Sequence, residues 1–428
     1  MRLLASSSRR FTRQRFLQAP LTYYYRRNHA MGGGEAIEEQ TLPRYHERHY
    51  YPIKIGEVFK DRYRVIAKLG YGAYSTVWLA WDERAKQYTS LKVCVSQDTE
   101  SSPAINEVNM LRRLKRFADT EHRDLPGVGF TRLADDIFEI DGRHYCIASK
   151  PQGQSIRVLR ETFPNGILPK LLVKSIIHRL WFSVNWFHST CGVIHTDISP
   201  QNVLMQLEDD SSLKDVEDQE SQDPSVPIFT TDGAAPVYRS RGTKLELSGL
   251  PVLADFGQMK LGEGQINQDW WMSDLYRAPE VLLGLPWGYP VDVWSIGVMT
   301  LELMEGKNLF NPIDWVNNQY VLPLALAQCI GYLGLPPLEM VRKSPLFSTY
   351  FDEQGNWASE PPIPKTSFEA FVTTIPPGEE KDQFLRFIRK ILTWDPEARA
   401  NSYELIQDEW MMRPPSEEDM MSLGTQMG

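Results

Sequence analysis

Two segments rich in β-branched and aromatic residues, Tyr63–Gly70 and Ser75–Asp82, flank Gly70 and Gly72, so the pair falls at the turn of a hairpin. This placement constrains the fold more than any other feature of the chain. A dinucleotide-binding fold needs its glycines to open a helix directly after a strand, and here they are succeeded by a second strand. Ser75 stands where a third glycine would complete G-x-G-x-x-G. Two glycines in a hairpin suit a phosphate cradle and an ordinary turn equally well. The decision therefore rests on the chemical groups farther along the chain and on their spacing.

Tyr88–Val95 reads as a third strand, and Ala104–Phe117 carries apolar residues at helical spacing. Ser101, Ser102 and Pro103, just before that helix, have N-cap and first-turn chemistry. Residues 135–149 read as two strands around the turn Asp141-Gly142. After Gly153 the character changes. Leu168–Ser189 is a long apolar helix, and helical patterns continue to Glu404–Met411. The reading is α+β, with a small β-rich lobe over 60–152, a large α-helical lobe over 153–412 and a tail over 413–428. A cleft between two lobes is a common place for a ligand. Residues 208–250 contain ten acidic and four basic residues and few large apolar ones. They read as a flexible insert between the strands NVLMQL and PVLADF, too poor in apolar surface to order itself.

Composition excludes several classes. No run of about 18 apolar residues occurs, which argues against a membrane span. Cys94, Cys146, Cys191 and Cys329 are scattered without a C-x-x-C pair, so neither zinc nor a disulfide framework is indicated, and a reducing intracellular compartment fits. The net charge of −9 disfavours nucleic acid as the main partner. Residues 1–34 hold seven arginines and no acid, which leaves −16 on the rest of the chain, a body suited to basic partners. Residues 1–45 read as a basic, disordered arm. The Arg-rich, Ser-containing, acid-free start also has the composition of a mitochondrial transit peptide.

The chemistry falls in five places. After the glycine hairpin come Lys92 on the third strand, twenty residues beyond Gly72, and Glu107 on the next helix. Each is weak alone, since a Lys–Glu pair is usually a surface salt bridge. HTDISPQN, residues 195–202, then sets Asp197 five residues before Asn202, which can put a base and a metal ligand on one tight loop. DFG at 255–257 and YRAPE at 276–280 complete the order. Spacing and order together agree with the protein-kinase signature set.

Over about residues 60–412 the chain resembles the eukaryotic protein kinases. The segment from Tyr51 to Asp82, HTDI with Thr196 where most kinases have Arg, and the segments LFNPID and YFDEQGNW are similar to the SR-protein kinase family, nearest its fungal SR-kinase-like branch. The resemblance implies an ATP- and Mg2+-dependent kinase acting on Ser or Thr of proteins. It suggests basic Arg/Ser-rich substrates, a monomer, and a place in the cytoplasm or nucleus, with no direct nucleic-acid or membrane partner. ATP would lie against Leu69, Gly70, Tyr71, Gly72, Ala73 and Val77, with Lys150 and Gln152 at the hinge. Lys92 would hold the α/β-phosphates and be positioned by Glu107. Asp197 would orient the substrate hydroxyl and accept its proton, while Asn202 and Asp255 would bind magnesium. Glu280 is expected to pair with Arg399, and Asp292 to anchor the catalytic loop.

Several positions depart from the family pattern. Ser199 replaces the Lys that contacts the γ-phosphate. Ser90 sets a hydroxyl near the adenine roof, and Ser149 is a small residue where a bulkier one guards the back of the adenine pocket, leaving space there. Thr196 cannot pair with an activation-segment phosphate, and Ser273 is the one hydroxyl between Asp255 and Tyr276. That segment is therefore expected to be held by packing, with Trp270 and Trp271 as anchors. Lack of the Ser199 cation leaves two functional classes open, an active kinase and a nucleotide-binding scaffold with little catalysis.

Overall fold

The computed structural model describes residues 37–416 and 419, apart from 43–44, 46–48, 97–101, 121–123, 230–235, 245–248 and 265. The transit-peptide reading, the Ser101 part of the helix cap and most of the tail lie outside the described residues.

Six antiparallel strands form the small lobe in the order β1 (Val58–Phe59), β2 (Tyr63–Gly72), β3 (Ser75–Asp82), β4 (Gln87–Cys94), β6 (His144–Ser149) and β5 (Asp136–Ile140). The β2–β3 hairpin closes at Gly72 opposite Ser75, so the glycine stretch is a hairpin end, as its flanks require. The β5–β6 turn places Asp141 at φ 50° and Gly142 at φ 63°. Two consecutive positive φ values match the right-handed strand twist, and an Asp-Gly pair tolerates them. Helix α1 (Pro103–Ala118) packs on this sheet, with the Ser102 side chain accepting from the Ala104 amide at its start.

The one-turn helix α2 (Pro126–Gly129) precedes β5, and β7 (Gln152–Ser155) leads into the short helix α3 (Ile156–Glu161) at the passage to the large lobe. The long apolar stretch becomes α4 (Lys170–Trp186), which widens into an i→i+5 turn over Phe187–Cys191. Gly192, at φ 64°, ends it in the left-handed region that favours glycine. The chain then enters β8 (Val193–Ile194), and β9 (Val203–Gln206) comes after the segment HTDISPQN. Trp181, Trp186, Trp294 and Trp410 are fully buried in the core of this lobe. Among the described residues no helix is long and apolar enough to cross a membrane.

Part of the insert over 208–250 departs from the flexible reading. Ser211–Gln222 forms helix α5, succeeded by the small hairpin β10 (Ile228–Phe229) and β11 (Pro236–Val237). Leu213 and Val216 pack on Ile66, Ala67 and Leu79 of the small-lobe sheet. Tyr238 meets the Trp78 ring edge-on, with centroids 5.8 Å apart. Composition counted only what the insert could bury against itself. Two apolar residues three apart suffice when the sheet supplies the opposing surface. The end of the arm over 1–45 differs in the same way. Glu38–Thr41 forms a short helix, and buried Glu39 pairs with buried Lys68 of β2.

The chain returns from the insert through β12 (Pro251–Leu253), antiparallel to β9, and β13 (Lys260–Leu261), paired with β8. It continues through α6 (Pro279–Leu282) into α7 (Pro290–Glu305), a helix buried on every face. The β9–β12 pair and α7 together flank the loop over residues 195–202.

Candidate active site

Lys92 lies opposite Val77 in the β3–β4 ladder and so faces the strand next to the glycine turn. Its Nζ donates to both Glu107 carboxylate oxygens at 2.7 Å. Asp255 Oδ1 lies 3.7 Å away on the other side. Burial alone would lower the Lys92 pKa, but the Asp255 and Glu107 carboxylates more than offset it and hold the ammonium above its ordinary value. The same lysine holds Asp255 below the usual carboxylate range. Asn106, next to Glu107, donates to the carbonyls of Gly257 and Met259 at 2.9 Å, which ties α1 to the DFG segment.

The catalytic loop hangs on Asp292, fully buried on α7. The amides of His195 and Thr196 donate to its two oxygens at 2.8 and 2.7 Å, and His188 Nε2 lies 2.9 Å away. Thr196 sits at φ 69°, a costly conformation for a β-branched residue, and these paired bonds over-determine it. The His195 ring accepts the Asp197 amide on Nδ1, so its proton is assigned to Nε2, which faces the Ala254 carbonyl. Burial pushes its pKa down, which keeps the ring neutral.

Asp197 is the focus of the loop. Asn202 Nδ2 donates to its carbonyl at 2.8 Å and to Oδ2 at 2.9 Å. Ser273 Oγ donates to Oδ1. Burial pushes the Asp197 pKa up to about 6, against the pull of the Ser273 and Asn202 hydrogen bonds. Ser199 is buried in the same loop, and its carbonyl accepts the Asn202 amide at 3.0 Å.

The segment after DFG is anchored on the loop by aromatic packing. Trp271 Nε1 lies 3.0 Å from both Thr196 Oγ1 and the Gln258 carbonyl, and Lys260 Nζ stands 3.8 Å above its ring. Arg277 lies between the rings of Trp270 and Tyr320, 4.2 and 4.7 Å from their centroids. Arg399 meets Glu280 through two bonds of 2.6 Å in a fully buried pair.

The expected hinge residues Lys150 and Gln152 join β6 to β7, where Gln152 pairs with Gln206 of β9. Leu69, Gly70, Tyr71, Gly72 and Ala73 line the end of the β2–β3 hairpin, with the Tyr50 hydroxyl donating to the Gly72 and Ala73 carbonyls. The space expected behind Ser149 is largely filled. Arg132 and Ser149 line one partly open cavity with Lys92 and Glu107, and its volume is about 20 Å³, room for a single water. Arg132 Nη2 donates to Ser90 Oγ at 3.0 Å, so the Ser90 hydroxyl is engaged by that guanidinium. Arg132, Asn106, Tyr50 and the Ser273–Asp197 contact were not foreseen. Their partners lie far along the chain, and no local spacing marks them.

This arrangement can hold a polyanion over Lys92, take a proton from a hydroxyl at Asp197, and offer oxygen donors from Asn202 and Asp255. The chain is 34% identical over 383 residues to a serine/threonine protein kinase of Aspergillus fumigatus, an alignment covering 88% of this chain and 91% of that one. The chain belongs to the SR-kinase-like protein kinases. The family model for the protein kinase domain matches residues 245–411. Serine/threonine-protein kinase SRPK of Physarum polycephalum is 28% identical over 88% of this kinase and 92% of its own length. SRSF protein kinase 3 of Mus musculus is 34% identical over 41% of this kinase and 31% of its own length. The protein is thus a serine/threonine protein kinase with the two-lobed fold of that family.

Proposed function

We propose that this kinase transfers the γ-phosphoryl group of Mg-ATP to serine or threonine hydroxyls in basic, Arg/Ser-rich proteins. The observation that carries the catalytic reading is the Asp197 carboxylate, half-buried and held by Asn202 and Ser273, in a fold that also joins Lys92 to Glu107 and Asp255. Asp197 orients the substrate hydroxyl and receives its proton. Lys92 binds the α/β-phosphates from a position fixed by Glu107. The backbone of Gly70, Gly72 and Ala73 covers the phosphates, and Lys150 and Gln152 border the adenine at the hinge.

The donors suit magnesium. Asn202 spends its amide nitrogen on Asp197, which leaves its carbonyl oxygen for a cation. Asp255 is half exposed and kept ionised by Lys92. A carboxylate and an amide oxygen are the hard ligands Mg2+ takes when phosphates supply the rest of its shell. When bound, the ion offsets the negative charge that develops on the phosphates.

The Arg/Ser reading is supported by the family membership and by the charge of the body, −16 beyond residue 34. The same membership supports work in the cytoplasm or nucleus. The test is transfer by the purified full chain from Mg-ATP to an Arg/Ser-repeat peptide, compared with neutral and acidic serine peptides of equal length. A strong preference for the basic peptide is expected, with activity abolished in Asp255→Asn. Equal use of the three peptides would overturn the substrate reading. Full activity in Asp255→Asn would overturn the metal assignment. Nucleotide binding with no transfer to any peptide or to itself would return the chain to the scaffold class.

A further inference from the structure

Ser240, in the insert, is flanked by Arg239 and Arg241. It is half-buried, while Arg239 is exposed. The Ser240 hydroxyl donates to Glu38 Oε2 at 2.6 Å and its amide to Oε1 at 3.1 Å. Glu38 lies 3.6 Å from Lys68 Nζ, whose side chain is entirely buried. Lys68 also pairs with Glu39 and donates to the Tyr238 carbonyl at 3.1 Å, and the Arg241 amide donates to the Lys68 carbonyl at 2.8 Å. Residues 38–41, which precede the small lobe, and 238–241 of the insert therefore meet on one ammonium. That ammonium belongs to the residue just before Leu69-Gly70, at the root of the glycine turn.

We propose that Ser240 is a phosphorylation site of this kinase, modified by another copy of the same chain, and that the phosphate unfastens residues 38–41 from the glycine-loop strand. The proposal rests on the Arg/Ser substrate reading above, since a serine between two arginines is the chemistry that reading names. In one copy Ser240 is pinned to the small lobe and Asp197 to the catalytic loop, so the acceptor and the base belong to different molecules. Ser240 Oγ attacks the γ-phosphorus of ATP, its proton passes to Asp197, the bond from the γ-phosphorus to the β,γ-bridging oxygen breaks, and ADP leaves.

The consequence is electrostatic. Glu38 and Glu39 already share the Lys68 charge, and Arg241 is engaged by Glu220 at 2.6 Å. A phosphate on Ser240 adds close to two negative charges where its hydroxyl now donates to Glu38. It repels both carboxylates and competes for Lys68, so the short helix Glu38–Thr41 loses its anchor and cannot reclose.

The wild type, Ser240→Ala, Ser240→Glu and the inactive control Asp197→Asn are each incubated separately with Mg-ATP and an Arg/Ser-repeat peptide. Phosphates are mapped by mass spectrometry, and hydrogen exchange is monitored over residues 37–42. Phosphate is expected on Ser240 of the wild type, at a rate that rises with protein concentration, and none in Asp197→Asn. Exchange over 37–42 should become about tenfold faster or more in the phosphorylated protein and in Ser240→Glu, and change less in Ser240→Ala, which loses one hydrogen bond to Glu38 but gains no charge. Peptide phosphorylated with Ser240 unmodified would overturn the proposal and leave the Arg/Ser reading standing. Phosphate on Ser240 with unchanged exchange would overturn the release. Phosphate on Ser240 with no peptide modified would support the site and count against the wider substrate reading. Transfer to neither would count against both.

Discussion

At Asp197 burial and hydrogen bonding oppose each other, and burial wins. With its pKa pushed up to about 6, the carboxyl is mostly protonated below that pH and, in the proposed role, cannot take the proton of a substrate hydroxyl. Turnover should therefore fall as pH drops through about 6, by roughly tenfold per unit below it, whereas an ordinary aspartate would hold to about pH 4. Ser273→Ala removes a bond that favours the ionised form, so the acid limb should move to higher pH while the KM for ATP stays put. A pH–rate profile of the two proteins checks both statements, and an unshifted limb would mean that Ser273 does not act on Asp197. Ser199 is the second residue of interest. Restoring a cation with Ser199→Lys should raise transfer about tenfold, roughly 1.4 kcal/mol of barrier, if the lysine reaches the γ-phosphate. A slower enzyme in single-turnover assays would show that another group already fills the role.

Among the elements, the segment from Asp255 to Glu280 and helix α5 show how neighbours decide order. Thr196 offers no charge to an activation phosphate, and its hydroxyl donates to the Gln258 carbonyl at 2.8 Å, beside the Trp271 indole. The one hydroxyl of the segment before Tyr276 bonds Asp197. The segment is therefore held by packing. Protein made in bacteria and treated with phosphatase should be as active as untreated protein, and Trp271→Ala should lose about tenfold in kcat, roughly 1.4 kcal/mol. A strong loss on phosphatase treatment would contradict this. Helix α5 has only twelve residues, too few for a stable isolated helix in water, and depends on the sheet it covers. Val216→Asp would bury a charge against Ile66 and Leu79. Hydrogen exchange should then show residues 211–222 unprotected while α4 remains protected. Retained protection over 211–222 would mean that the docking contact is not what orders the helix.

For the whole molecule, the large lobe is cross-braced by Glu280 and Arg399, whose side chains are 1% and 0% exposed. A buried pair of this kind contributes little over an apolar replacement, but breaking it leaves a charge without a partner, at about 3–5 kcal/mol. Glu280→Gln should lower the unfolding free energy by that amount in a denaturant titration of the large lobe, with the KM for ATP little changed in the protein that remains folded. A loss below about 1 kcal/mol would place the pair among ordinary surface bridges. The small lobe is braced differently, by the segment before it and by the insert, which converge on Lys68.

The sequence by itself determined the β-rich and helical halves and the strands around the glycine turn, each carried by alternation or helical spacing over a few residues, and such patterns survive without knowledge of distant partners. It also marked Lys92, Glu107, Asp197, Asn202 and Asp255 as candidate site groups, through the order of five motifs along the chain and the family resemblance they carry. Only the tertiary structure decided the rest. Ser273 reaches Asp197 across 76 positions, Trp271 reaches Thr196 across 75, and Asn106 reaches Gly257 across 151. The space behind Ser149 looked open because a single position says nothing of Arg132. The insert looked disordered because its own apolar content is small, and its helix Ser211–Gln222 is ordered because the small-lobe sheet completes its core. A group's hydrogen-bond partner and a helix's buried face are set by what chain packing brings within a few ångströms, and separation along the sequence does not encode that distance.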